Sequence, residues 1–146
     1  MRSFTQTPFG RIASISILCA IALAVTTSSF AGEDGHKTSG FKGVKANTGY
    51  AIHMVQNGKD TLMWSDDFTI PEAPAPHWQI VDSKGNTYLL QRLVVKGDKQ
   101  NRTITVPRFV PDIAKVQIWC AYAEALLGEA SFSKAMTMID FDPTEG

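Results

Sequence analysis

The feature that most constrains this chain is the cadence of its apolar residues between Thr48 and Cys120, where short alternating runs are each cut by a turn signal. A period of two sends successive side chains to opposite faces of a strand, so such runs suit a sheet with one buried face. Tyr50, Ile52 and Met54 alternate with Ala51, His53 and Val55 until Asn57-Gly58. Asn-Gly is a strong hairpin signal because both residues tolerate positive φ. Leu62–Ser65 is the expected return strand. Pro71, Pro74 and Pro76 then break any ladder between Ile70 and His77, since proline donates no backbone hydrogen bond.

Beyond that loop the spacing predicts strands at His77–Val81, Tyr88–Val95, Arg102–Val106 and Ala114–Cys120, with turns at 83–86 and 96–98. No amphipathic helix stands out among them. The expected class is therefore all-β, an antiparallel β-sandwich or partly open barrel in a single domain. One segment pulls the other way: residues 121–127 (AYAEALL) are rich in helix formers and read as helical on propensity alone.

The N-terminus reads as a signal peptide over residues 1–31. Arg2 and Arg11 precede an uncharged apolar run from Ile12 to Val25, and Ser29-Phe30-Ala31 has small residues where a signal peptidase reads. The run is shorter than the roughly 18 to 20 apolar residues that cross a bilayer. Cleavage after Ala31 leaves a chain expected to be extracytoplasmic, periplasmic or secreted, with no membrane span. Residues 32–43 are polar and glycine-rich, and are expected as a flexible lead-in. Residues 44–133 form the expected β domain and 134–146 a C-terminal tail.

Composition removes several function classes. The full chain carries 14 basic and 14 acidic residues, and no Lys/Arg cluster has the density of a nucleic-acid-binding surface. There is no nucleophile elbow, phosphate loop or metalloprotease motif. Of the two cysteines only Cys120 survives cleavage of the leader, so an internal disulfide is excluded and stability must come from packing. Cys120 has the parity of Ala114, Val116 and Ile118 and is expected to point inward, whereas Trp119 shares the other face with Lys115 and Gln117.

The order of Gly40-Phe41, Gly49, Asp67-Phe68, the proline loop before His77–Val81, Thr105-Val106-Pro107 and the Ile118-Trp119-Cys120 step resembles the DM-thirteen domain family. That family is a small extracytoplasmic β domain related to the DOMON cytochrome domains. Leu127–Phe132 is similar to its closing segment, although Leu127 replaces an aromatic, and Pro76-His77 stands where the family has proline-aspartate. The resemblance implies extracytoplasmic electron transfer or redox chemistry with an unidentified redox or cell-surface protein partner. In that reading Cys120 is a redox thiol or a cofactor ligand.

The residues themselves leave two readings open. Cys120 is either a small core hydrophobe, with burial slowing its chemistry, or a thiolate that needs a nearby cation, a helix N-terminus or a metal. As a haem ligand it would need company from His77, His53 or a methionine, with Trp119 a further candidate lining residue. No Cys-x-x-Cys-His is present, so a haem here would be non-covalent. Scattered histidines match no zinc pattern. The alternative function is a secreted binding or adhesion module that uses the loop from Ile70 to His77 and keeps Cys120 as structure.

Overall fold

The computed structural model describes residues 36–93, 95–96, 99–100 and 102–145, so the leader expected at 1–31 lies outside the described residues. Two antiparallel sheets account for the architecture, and they do not close into a barrel. The first holds β1 (Ala51–Gln56), β2 (Lys59–Trp64) and β7 (Thr103–Thr105) in the order β1-β2-β7. The second holds β3 (Pro76–Val81), β4 (Thr87–Arg92), β8 (Asp112–Cys120) and β9 (Ala125–Thr137) in the order β4-β3-β8-β9. A short ribbon of β5 (Val95–Lys96) and β6 (Lys99–Gln100) stands apart. The chain is thus an all-β sandwich, and among the described residues no helix is long and apolar enough to cross a membrane.

Local chemistry sets the turns. Asn57 and Gly58 both take positive φ, 52° and 72°, which matches the twist of the flanking strands and closes β1 onto β2 from Gln56↔Lys59. Between β3 and β4 the Asp82 carboxylate accepts the backbone N–H groups of Lys84 and Asn86 at 2.9 and 2.8 Å, and Gly85 supplies φ of 88°.

The helical propensity of 121–127 does not prevail. Residues 121–124 make a turn that ends with Glu124 at φ 49°, and β9 begins at Ala125. Pairing of Cys120 with Ala125 and of Trp119 with Leu126 gives this segment a place at the end of a long ladder. Seven residues are too few for a stable isolated helix, so tertiary pairing decides.

Four further expectations change. The strand expected to run from Tyr88 to Val95 ends at Arg92, after which Leu93 is buried beneath the proline loop and donates its N–H to Pro76 O. On β8 the irregular pairing between Ile113 and Lys115 shifts the parity, so Ile113 is buried and Ala114 only half-buried. The described part of the lead-in, 36–43, is built into the sandwich. Thr38 donates to Ala51 O at one sheet edge, and Lys42 and Glu129 exchange backbone hydrogen bonds at the other. Phe41 is inserted into the core, and β9 and Met138 carry the ordered structure past the boundary expected at 133.

The core lies between the sheets, with Leu62, Trp64 and Phe68 facing Trp78, Ile80, Val116 and Ile118. Trp64 and Trp78 stack at 4.9 Å with planes 14° apart, and Phe68 and Phe41 extend the cluster at 5.0 and 5.2 Å. Burial of such rings supplies much of the driving force in a domain without disulfides.

Candidate functional site

Cys120 ends β8 at the pole of the sandwich where three connections meet. The proline loop is tied there by Ala121 N–H donating to Ala75 O at 2.9 Å and by the register pair Pro76↔Cys120. The 43–46 segment joins through Lys45 and Ala46, whose N–H groups both donate to Leu127 O at 2.9 Å. Lys45 Nζ also donates to Glu72 O at 3.0 Å, linking this segment to the proline loop. The carbonyl that takes the Lys45 and Ala46 amides belongs to Leu127, the bulged residue between Leu126 and Gly128 on β9.

The thiol is 1% exposed, as strand parity led one to expect. Its surroundings are less apolar than that parity implied. The backbone N–H of Ala123 is the main influence holding the thiol below its ordinary pKa. Burial opposes it, while the amides of Ala75 and Tyr122 and the Lys45 charge add to the lowering. Amides converging on sulfur favour the ionised form in the way a helix N-terminus does. Beside the thiol's strand partner Pro76 runs a groove of about 460 Å³, lined by Ile70, Pro71, Glu72, Ala73, Pro76, Arg92 and Leu93. Arg92 Nη2 braces its wall by donating to Pro74 O at 2.5 Å.

The other residues singled out in the sequence do not gather around Cys120. His77 and Trp119 are register partners on β3 and β8, both half-buried, one step along from the Pro76↔Cys120 pair. By strand alternation they lie on the outer face of the sheet while Cys120 lies on the inner one. His77 Nδ1 donates to Ala75 O at 2.8 Å, which spends that nitrogen on holding the loop. Outward from Trp119 the same face carries a polar ladder in which Gln79 donates to Gln117, and Gln117 and Lys115 donate to Glu129.

His53 belongs to the opposite sheet and is 3% exposed. Its Nε2 lies 2.7 Å from Asp60 Oδ1, and because a carboxylate only accepts, Nε2 carries the proton. The histidine is therefore committed to a carboxylate partner, and the four residues do not form one ligand set. Asp60 was missed in the sequence, although the Asn57-Gly58 hairpin signal places it on the same face as His53 once the Gln56↔Lys59 register is known.

Among the described residues no group of three His, Cys, Asp or Glu side chains could hold a metal ion. Asp66 pairs with Arg102, and Asp67 accepts from Ser65 Oγ at 2.5 Å. Comparison with family models, with curated proteins and with solved structures returned no match for this chain.

Proposed function

We propose that this chain is an exported thiol module acting in extracytoplasmic redox chemistry through Cys120. What carries the reading is the position of Cys120 at the end of β8, paired with Pro76 beside the proline-loop groove. The Ala123 amide first, with those of Ala75 and Tyr122, lowers the thiol pKa against burial. The resemblance of Ile118-Trp119-Cys120 to the DM-thirteen signature points the same way.

The reaction that fits a single thiol is exchange with a disulfide on a partner protein. The Cys120 thiolate attacks one partner sulfur, the new S–S bond forms as the old one breaks, and the second partner sulfur leaves as a thiolate that takes up a proton. A further thiol on the partner then resolves the mixed disulfide. Access requires local opening at this pole, where the proline loop pairs with the end of β8, because Cys120 is buried. Haem is a weaker fit, since His53, His77 and Cys120 lie on different faces or sheets.

One observation favours a second reading, a binding module with a structural cysteine. Val44 and Tyr122 are each 79% exposed on the connections that flank Leu127, next to the half-open Leu126. Large apolar side chains presented at one pole are a usual contact surface.

Purified mature protein separates the two. Its visible spectrum is recorded, and its thiol is titrated before and after unfolding, with Cys120→Ser as the blank. Reaction of one thiol in the folded protein, faster at neutral pH than burial alone allows, supports the redox reading. A colourless protein whose thiol reacts only after unfolding removes that reading and leaves the binding one.

A further inference from the structure

The second buried polar centre lies in the other sheet and is separate from Cys120. Asp60 is 0% exposed and its carboxylate takes three donors. Oδ1 accepts from His53 Nε2 at 2.7 Å, and Oδ2 accepts the backbone N–H groups of Ile139 at 2.7 Å and Asp140 at 3.3 Å. Two of these donors belong to the segment that follows β9. Asp60 thus clasps the C-terminal segment to the β1–β2 hairpin, 79 residues away along the chain from Ile139.

The clasp contains an unresolved conflict. Asp140 places a second carboxyl beside Asp60, and its Oδ1 is buried without a hydrogen-bond partner, as is His53 Nδ1. Buried polar atoms of this kind are rare in native structures and ask for an explanation. The other charged or titratable groups nearby are His36, whose ring stacks on His53 at 5.9 Å, and Arg108, whose Nε donates to Asp140 O at 3.0 Å. Arg108 also pairs with Asp142 and Glu145, so it grips the segment from the surface side.

We propose that this cluster is a pH-tuned latch on segment 138–140, tightest when Asp60 is ionised and Asp140 protonated, and slackened by either Asp60 protonation or Asp140 ionisation. An ionised Asp60 keeps all three donors satisfied, whereas two ionised carboxylates in one buried site repel.

The directions of titration agree with this order. Burial raises Asp60, but contacts with Asp140, His53 and the two amides bring it below the ordinary aspartate range. Asp140 is pushed above that range, first by its side-chain contact with Asp60 and then by burial and the Asp60 charge. The sign follows for each group. A lowered carboxyl stabilises above its unfolded pKa and loses that contribution as pH falls through its folded pKa. A raised one is destabilising once pH rises above its unfolded pKa. The window of tightest closure therefore straddles the ordinary aspartate value, about 3.9, and the latch loosens from there toward neutrality. Segment 138–140 leads into Phe141 and Pro143, which wall a groove with Tyr88 and Phe109, so loosening alters that surface too.

The test is hydrogen exchange of the Ile139 and Asp140 amides by NMR, from acid to mildly alkaline pH, corrected for intrinsic rates. It is run on the mature wild-type chain, on Asp140→Asn and on Asp60→Asn. In the wild type, protection is expected to peak near the aspartate range and to fall on both sides. Asp140→Asn should keep the acid limb and lose the fall toward neutral pH. Asp60→Asn should lower protection roughly tenfold near the peak, as loss of a charge-assisted hydrogen bond does. Flat protection in the wild type overturns the proposal. So does a fall toward neutral pH that persists in Asp140→Asn, because the loosening would then not come from the Asp140 carboxyl. Asp140 is only half-buried, so its variant keeps the test available if Asp60→Asn does not fold.

Discussion

Pro76 lies directly across from Cys120 in the β3–β8 ladder, so the residue that ends the proline loop is also the strand partner of the candidate thiol. Pro76 cannot donate an N–H, and its carbonyl is engaged by Leu93. The loop is instead held by Ala75, which takes Ala121 N–H and His77 Nδ1 on its carbonyl. The Ala75 carbonyl thus joins Glu72 O and Pro74 O, which take Lys45 and Arg92, in anchoring the loop beside Cys120.

Removing the thiol should change how stability depends on pH. The Cys120 pKa is lowered in the folded state, chiefly by the Ala123 amide, so its contribution is full above the unfolded cysteine pKa of about 8.5 and is lost as pH falls through the folded value. Urea denaturation of wild type and Cys120→Ala across this range is expected to show a stability difference that widens as pH rises. A constant difference would mean that the amides do not stabilise the thiolate.

Loosening the loop should expose the sulfur. His77→Ala removes the Nδ1 bond to Ala75 O while leaving the inner face untouched. Native thiol reactivity is expected to rise several-fold, with a stability loss of about 1 kcal/mol. Unchanged reactivity in a variant confirmed to have lost about that stability would show that the proline loop does not control access.

Asp82 should be the most costly carboxylate to remove at the β3–β4 turn. Besides two backbone amides it accepts Asn86 Nδ2 at 2.8 Å and the Tyr88 hydroxyl at 3.0 Å. Burial works against its charge, but the Asn86 contacts and the other donors outweigh it and lower its pKa. Asp82→Ala is expected to cost about 2–3 kcal/mol at neutral pH. The penalty should shrink as acid protonates the wild-type carboxylate, a trend read from denaturation midpoints at pH values above and below 4.

Two glycines with similar φ should respond differently to alanine. Gly58 has φ of 72° with open space where a Cβ would go, so Gly58→Ala should cost only about 1 kcal/mol. At Gly49, φ 67°, a Cβ would meet Ser65 Oγ at 2.6 Å and Phe68 Cα at 2.7 Å. Gly49→Ala is expected to cost 3 kcal/mol or more, roughly the range of core overpacking plus strain. Thermal denaturation of the two variants side by side measures the contrast.

The class of fold was legible because it depends on local properties. Period-two patterning at 50–55 and 116–120, the Asn57-Gly58 hairpin and the proline interruption each act within a few residues, and each is found in the structure. Where the pattern misled, backbone pairing with another segment was responsible. The 121–127 segment had the composition of a helix, but β8 offered it a ladder, and 36–43 looked like a solvated lead-in until both sheet edges gave its backbone partners.

The sequence by itself determined that this chain folds as an antiparallel β protein and that Cys120 faces inward, since alternation and turn chemistry are written residue by residue. Tertiary structure alone decided what the inward residues meet. It brought the Ala75 and Ala123 amides to the sulfur, gave His53 to Asp60, and set Asp140 against the same carboxylate. Those contacts join residues up to 80 positions apart, as with the Asp140 amide and Asp60. Strand register and loop docking create them; the Asn57-Gly58 turn encodes the register that brings His53 to Asp60, but no local pattern encodes the docking of 138–140 or of the proline loop.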